Sequence, residues 1–350
     1  MAETAPVLVT MGDPAGIGPE IIVKALAGAA RPLPVVVVGD ARVMARAVGL
    51  VAPDMRIDIV TDPLAGAAGP GVIRLVESGR LDPLPGFGRI DAAAARAAVD
   101  AVLAAVRLVQ AGRGSAIVTA PINKAALALA GLSWPGHTEL LAAHAGRGPA
   151  AMMLAGPDLR VVPATLHMAL PEAVAGLDHD TELAAIRAAD QGARAFGIPA
   201  PRVAVAALNP HAGDGGRFGD AEARILAPAI AAARAEGIDA SGPWPADTVF
   251  LQARRGRFDV VVAQYHDQAM IPAKLDGLDA AVNVTLGLDL IRTSPDHGTA
   301  FDIAGRGIAD PAPLLAAIAC ARRLCPASRH PGIPPAGRQP NRSLTPCPTA

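Results

Sequence analysis

The chain has 350 residues, with 31 Lys and Arg against 32 Asp and Glu, a formal net charge of -1. That balance excludes the basic footprint of a nucleic-acid or anionic-membrane surface, and 3% aromatic residues exclude a base-stacking platform. Hydrophobic residues make up 51%, enough for a sizeable core, yet no apolar run reaches the roughly 18 residues of a membrane helix.

The length predicts about two domains. Residues 7–10 read as a buried strand, followed by a Gly-rich turn and a helix from Pro19 to about Leu26. Pro19 suits a first helical position, where its missing N–H costs nothing. Residues 35–38 are a second, continuously apolar strand, as a sheet covered on both faces requires. Asp91 is positioned to cap a long helix that ends before Gly112, with Val99, Val102, Leu103, Val106 and Val109 at helical spacing. Residues 116–119 are a third strand. Further on, Thr181 is placed to cap a helix stopping near Gly197, and Asp220 one ending near Gly237. Residues 203–208 run as a strand into Asn209-Pro210-His211, and 260–265 deliver His266. Strands alternating with helices predict a mostly parallel α/β sheet with helices on both faces. Ligands then gather beyond the carboxyl ends of the strands, where these polar clusters are expected. Residues 326–350, rich in Pro, Arg and Ser, are expected to form a disordered tail.

No charged segment followed by an apolar stretch marks the first residues, so a cytoplasmic protein is expected. Cys320, Cys325 and Cys347 are odd in number and suit reduced thiols.

Five features carry chemistry. The first is Met11-Gly-Asp-Pro-Ala-Gly-Ile-Gly-Pro-Glu20, a Gly-rich strand-to-helix turn. It serves equally as a phosphate approach or a tight connector, and acidic Asp13 and Glu20 speak against phosphate. The second is the set His167, His211 and His266, each following an apolar, strand-like segment. Three imidazoles converging there would hold a divalent cation and leave a position open for substrate. His144, His179 and His330 read instead as a helix-end residue, a loop residue and a tail residue. The third is Pro135-Gly-His-Thr-Glu139, placing His137 and Thr138 at a helix start with N–H groups free for an anion. The fourth is the spread of Lys274, Asn283 and Arg292, suited to phosphate or carboxylate. The fifth is the segment 296–310, with one His, repeated Gly and several Asp, which describes an ordered loop near a ligand.

Taken in order, GDPAGIGPE, TAPINK, GHTE, LNPHAGDGG, PADT, YHDQ, VNVTLGLDLIRTSPDHGTA and DIAGRG resemble the 4-hydroxythreonine-4-phosphate dehydrogenase family of vitamin B6 biosynthesis. The resemblance runs from about Val7 to about Leu324. GIGPE and HGTAFDIAGRGIAD are also similar to segments of the isocitrate and isopropylmalate dehydrogenases. The resemblance implies their two-domain α/β fold with a cleft. Residues 1–131 plus 283–325 would bind the dinucleotide, and 132–282 would carry substrate, metal and dimer contacts. It further implies a homodimer with active sites at the subunit interface, NAD or NADP as cofactor, and one divalent metal (Zn, Mg or Co) per subunit. The metal falls on His167, His211 and His266, shared between subunits, and the substrate on His137, Thr138, Lys274, Asn283 and Arg292. The dinucleotide falls on His297, Gly298, Thr299 and Asp302. Asp247, Asp267 and Lys274 remain open as the group that takes the hydroxyl proton.

The implied reaction oxidises 4-phosphooxy-L-threonine at C3 to a β-keto acid that loses CO₂. Three rivals stand beside it. One is the same reaction on 4-phosphothreonate or 4-phosphoerythronate. The others are an acyl-phosphate transferase and a non-catalytic phosphometabolite binder, against both of which the three histidines argue.

Overall fold

In a computed structural model, which describes residues 5–66, 69–277 and 281–325, the apolar run Val7–Thr10 forms strand β1 with every residue buried. Strands β2 (Val35–Gly39), β3 (Arg56–Ile59), β4 (Val72–Glu77), β5 (Ala116–Thr119) and β6 (Gly146–Ala155) follow. Then come β7 (Arg160–Pro163), β8 (Arg202–Ala206), β9 (Asp239–Trp244), β10 (Val260–Ala263), β11 (Val282–Leu288) and β12 (Arg292–Pro295). The tail expected at 326–350, with His330 and Cys347, lies outside the described residues.

Helices alternate with most of the strands, and four of them start where an Asp or Asn side chain takes up free N–H groups. Helix α1 is Gly18–Ala27, with Pro19 in its first turn as expected. Asp40 caps α2 (Ala41–Val51), accepting from the Arg42 and Val43 N–H groups at 2.7 and 3.2 Å. Asp91 caps α3 (Ala92–Gln110) through the Ala94 N–H at 2.9 Å. Val99, Val102 and Val106 lie on the buried stripe of α3, while Leu103 and Val109 sit at its margin. Each fully buried valine contributes roughly 1.5–3 kcal/mol. Helices α4 (Lys124–Leu129), α5 (His137–Ala145) and α6 (Leu170–Gly176) follow.

Helix α7 (His179–Ala195) corrects an expected cap. Asp178 is the N-cap and accepts from the Thr181 N–H at 2.8 Å, so His179 and Thr181 stand inside the first turn. Asp220 is not a cap either. A π-turn, Glu222–Leu226, precedes α8 (Ala227–Ala235), and Asp220 pairs with Arg224 at 3.5 Å. Helices α9 (Ala246–Arg254), α10 (His266–Asp276) and α11 (Ala312–Leu324) complete the set.

One twelve-stranded sheet runs β3-β4-β2-β1-β5-β12-β11-β6-β7-β10-β8-β9. Pairings are parallel from β3 to β12 and again from β7 to β9. The steps β12–β11, β11–β6 and β6–β7 are antiparallel. Three reversals leave the two parallel runs pointing in opposite directions. The carboxyl ends of β1 and β5 therefore leave the sheet at one edge, and those of β7, β8 and β10 at the other. The carboxyl ends of the parallel strands thus fall on two edges of the sheet. Alternation of apolar runs fixes strand positions but carries no information about strand direction.

The Gly-rich turn after β1 is a packing device. A Cβ at Gly12 would stand 2.6 Å from the Pro121 carbonyl oxygen, and one at Gly18 2.4 Å from that of Met11. Gly12 also has φ +71, which favours glycine. The close approach that the connector reading expects is present at Gly12 and Gly18. Behind it, Glu20 accepts from the Gly307 and Ala309 N–H groups at 3.3 and 2.8 Å. Lys24 Nζ donates to the carbonyls of the same two residues at 2.8 and 2.7 Å. With Ile17 N–H donating to the Thr299 carbonyl at 3.0 Å, these bonds fasten the 296–310 segment to α1.

Candidate active site

His167 and His211 are held at φ 53 and φ 54, a left-handed backbone that non-glycine residues rarely adopt. Five consecutive residues, His211 to Gly215, share positive φ in the turn Pro210–Gly216. Such backbone persists only where surrounding contacts enforce it, and it clusters at functional sites. Here buried Glu222 supplies the contact. Its carboxylate accepts from Asn209 N–H at 2.7 Å and Asn209 Nδ2 at 3.1 Å, and its Oε2 would meet a Cβ at Gly213 at 2.8 Å.

Strand β7 ends four residues before His167, and β10 ends three before His266, which opens α10 rather than closing a strand. The two imidazoles stand 6.0 Å apart between ring centroids, planes tilted by 42°. Both line a cleft of about 580 Å³ together with Thr165, Met168, Leu170 and Tyr265. Asp267 reaches back to His266, Oδ1 to Nδ1 2.6 Å. Burial lowers the pKa of His167. Lys124 and His266 lower it further, while Glu139 and Asp296 oppose them. A neutral imidazole is the form that binds a metal. His211 stands apart from this pair, its ring 6.2 Å from Phe218. Among the described residues no group of three His, Cys, Asp or Glu side chains within the chain is arranged to hold a metal. Two facing imidazoles, one of them held neutral, fit part of a divalent-cation site.

Of the anionic-substrate candidates, Arg292 and His137 come together. Arg292 on β12 is 4% exposed. Its Nε and Nη2 donate to Thr119 Oγ1 at 3.1 and 2.7 Å, and its Nη1 to Thr285 Oγ1 at 2.8 Å. Burial brings its pKa down to about 10. Among the described residues no carboxylate pairs with it, so a buried cation is oriented by hydroxyls but not neutralised. His137 opens α5 close enough for Arg292 to act on its charge. Burial first, then Arg292, holds the His137 pKa well below the ordinary imidazole value. Its Nε2 is buried without a partner, as is Asn283 Oδ1 on β11. Asn283 Nδ2 contacts Met152 Sδ at 2.9 Å. Thr138 is the second residue of α5, and Lys274 on α10 pairs with Asp296 at 3.4 Å.

In the 296–310 segment, His297 Nδ1 lies 3.0 Å from the Gly298 carbonyl while its Nε2 is buried and unpartnered. Thr299 is buried, and Asp302 and Gly298 are exposed. The orphaned imidazole nitrogen is a donor or acceptor that a dinucleotide contact would satisfy. Asp247 is exposed in the first turn of α9, a helix packed against the Pro210–Gly216 turn. Sequence reasoning missed Lys124, Glu139 and Asp296 as neighbours of His167. All three lie inside quoted motifs, but only the folded chain brings them to that ring.

His144, set aside from the sequence, lies in the last turn of α5 against Trp134, ring centroids 5.7 Å apart. Cys320 and Cys325 are buried. Among the described residues no helix is long and apolar enough to cross a membrane.

This mostly parallel α/β sheet, with its histidine-lined cleft and buried arginine, is the fold of a solved metabolite dehydrogenase, and the chain is an enzyme of that class. Residues 31–321 match the family described as pyridoxal phosphate biosynthetic protein PdxA, and the chain belongs to that family. It is 54% identical over 319 residues to the 4-hydroxythreonine-4-phosphate dehydrogenase of Beijerinckia indica subsp. indica, covering 91% of this chain and 95% of that one. It is 45% identical over 323 residues to the D-threonate 4-phosphate dehydrogenase of Pectobacterium atrosepticum, covering 91% and 98%. The crystal structure of 4-hydroxythreonine-4-phosphate dehydrogenase from Klebsiella pneumoniae matches with a TM-score of 0.87 at 44% identity, covering 92% of this chain and 99% of that one.

Proposed function

We propose that this dehydrogenase oxidises 4-phosphooxy-L-threonine at C3, with NAD or NADP, to 2-amino-3-oxo-4-phosphooxybutanoate. That product loses CO₂ to give 3-amino-2-oxopropyl phosphate, in pyridoxal phosphate biosynthesis. The observation that carries this reading is Arg292, a buried guanidinium without a carboxylate, beside a neutral His137 whose Nε2 lacks a partner. A phosphorylated, carboxylated substrate supplies the anion that this pocket lacks.

Arg292 grips an oxyanion through its fork, Lys274 adds a point charge, and Asn283, His137 and Thr138 complete the substrate contacts. A divalent cation would be held by His167, His211 and His266, shared between the two subunits, and would supply a Lewis acid; a dinucleotide would be held by His297, Gly298, Thr299 and Asp302 and would supply the hydride acceptor. The hydroxyl proton goes to one of Asp247, Asp267 or Lys274. Residues 1–131 with 283–325 form the dinucleotide half, and 132–282 the substrate and metal half.

The enzyme works as a cytoplasmic homodimer with the active site at the subunit interface. Two observations support this. Among the described residues the His167–His266 pair has no third ligand, and Met168, Leu170 and Val174 are exposed apolar residues beside the same cleft. A second reading, the same oxidation of D-threonate 4-phosphate, is favoured by the relative of that name.

Steady-state reduction of NAD and NADP on a panel of phosphorylated hydroxy acids, with and without chelator, tests all of this. Turnover of 4-phosphooxy-L-threonine at a kcat/KM below that of D-threonate 4-phosphate would move the assignment to the second reading. No metal-dependent turnover of either would end both.

A further inference from the structure

The motif Thr119-Ala-Pro-Ile-Asn-Lys124 leads from the partner of Arg292 to an unused cation. At its start, Thr119 Oγ1 accepts both bonds from Arg292. At its end, Lys124 opens α4, where Asn123 Oδ1 accepts from the Ala126 N–H at 2.9 Å. Between them the Gly-rich turn holds the backbone, since Asp13 N–H donates to the Pro121 carbonyl at 2.9 Å. Lys124 is exposed, and among the described residues its ammonium forms no ion pair or hydrogen bond. The free N–H groups of a helix start carry partial positive charge, so nothing local stabilises an ammonium there. The side chain lies near the start of α5. A Cβ at Gly136, the N-cap of that helix, would stand 4.0 Å from Lys124 Cε and 3.4 Å from Glu139 Oε2. His137 and Thr138 are the next two residues. Of the charges that act on His167, Lys124 has the largest effect.

We infer that Lys124 is a further binding residue for the phosphate of the substrate, reaching it at the start of α5. This deepens the function proposed above and rests on it. A phosphate monoester carries about −1.5 to −2 charges at neutral pH. His137 is held neutral, so it offers a hydrogen bond without charge. Lys274 is already paired with Asp296 at 3.4 Å. Arg292 supplies one positive charge, and a dianion calls for a second. Lys124 provides it as a compact ammonium on a flexible stem, which adapts to whichever phosphate oxygen faces it. Glu139 flanks the same point and closes no ion pair with Lys124. Its carboxylate opposes any anion bound there without the lysine, which enlarges the effect of losing that lysine.

The test uses the full-length holoenzyme without dinucleotide, so that no turnover occurs, as wild type, Lys124→Met and Lys124→Arg. Isothermal titration gives the Kd of 4-phosphooxy-L-threonine, D-threonate 4-phosphate and inorganic phosphate, and a separate titration gives that of the dinucleotide. Lys124→Met is expected to weaken the phosphorylated acid and inorganic phosphate roughly ten- to hundredfold, the loss of one charge-assisted bond. Dinucleotide affinity should stay within twofold, and Lys124→Arg should recover most of the loss because it keeps the charge. Unchanged phosphate binding in Lys124→Met would overturn the inference. So would an equal loss of dinucleotide, which marks a general disturbance of the cleft. Inorganic phosphate bound through Lys124, with neither phosphorylated acid bound by wild type, would overturn the proposed function and leave the phosphate contact standing. Wild type binding none of the three would overturn both.

Discussion

Arg292 on β12 donates twice to a single hydroxyl, Thr119 Oγ1 on β5, from Nε at 3.1 Å and Nη2 at 2.7 Å. The bond spans 173 positions in the chain and locks the guanidinium plane across two neighbouring strands. We expect Arg292→Lys to weaken substrate use despite keeping the charge, because an ammonium cannot reproduce the planar fork. One lost charge-assisted bond costs about 1.5–3 kcal/mol, roughly ten- to hundredfold in kcat/KM. Dinucleotide affinity should not change. Initial-rate kinetics with each substrate varied decide it, and a weaker dinucleotide with an unchanged substrate KM would reverse the division of the cleft.

Glu182 on α7 is fully buried, and neither carboxyl oxygen has a hydrogen-bond partner of good geometry. Burial raises its pKa to about 7, with neighbouring Gln264 pulling slightly back. The native state thus keeps a proton that the unfolded chain releases near pH 4.5. Stability from this group is complete below about pH 4.5 and is lost as pH rises through about 7, by up to roughly 3 kcal/mol. Glu182→Gln should therefore gain stability over wild type at pH 8 relative to pH 5. Urea unfolding at both values measures the gain, and parallel stability curves for the two proteins would contradict it.

Chelation should abolish turnover and leave far-UV circular dichroism unchanged. The core clusters are built from buried apolar side chains on every strand except β3 and β12 and are not centred on the histidine cleft. Loss of the helical signal with the metal would make the site structural.

His211→Ala should lose metal, and His144→Ala should retain it. His211 stands in a strained turn braced by Glu222 through Asn209, whereas His144 lies against Trp134, rings tilted, at a helix end. Metal content per subunit separates them, and equal content in both variants would show that the wrong histidines were chosen.

Much of the local structure was legible in the sequence because its causes are local. Apolar runs marked β1, β2, β5, β8 and β10, and Asp91 marked the start of α3, since a carboxylate one residue ahead of a helix satisfies its free N–H groups. Where caps compete the reading slipped. Asp178 and Thr181 both suit the role, and choosing between them requires the backbone φ and ψ that the fold imposes.

The residue types at the site, and their order along the chain, were set by the sequence alone. Histidines followed apolar segments, and Arg292 and Lys274 stood in a chain with only 18% charged residues. What only the tertiary structure decided is which of them meet. Three antiparallel steps at β12–β11–β6–β7 turn the second parallel run against the first, and this direction is set by long-range pairing. His167 thereby gains His266, Lys124, Glu139 and Asp296 as electrostatic neighbours, and Arg292 gains Thr119 and His137. A side chain's charge and donors are written in its own residue, but the field around it is a sum over groups far away in sequence.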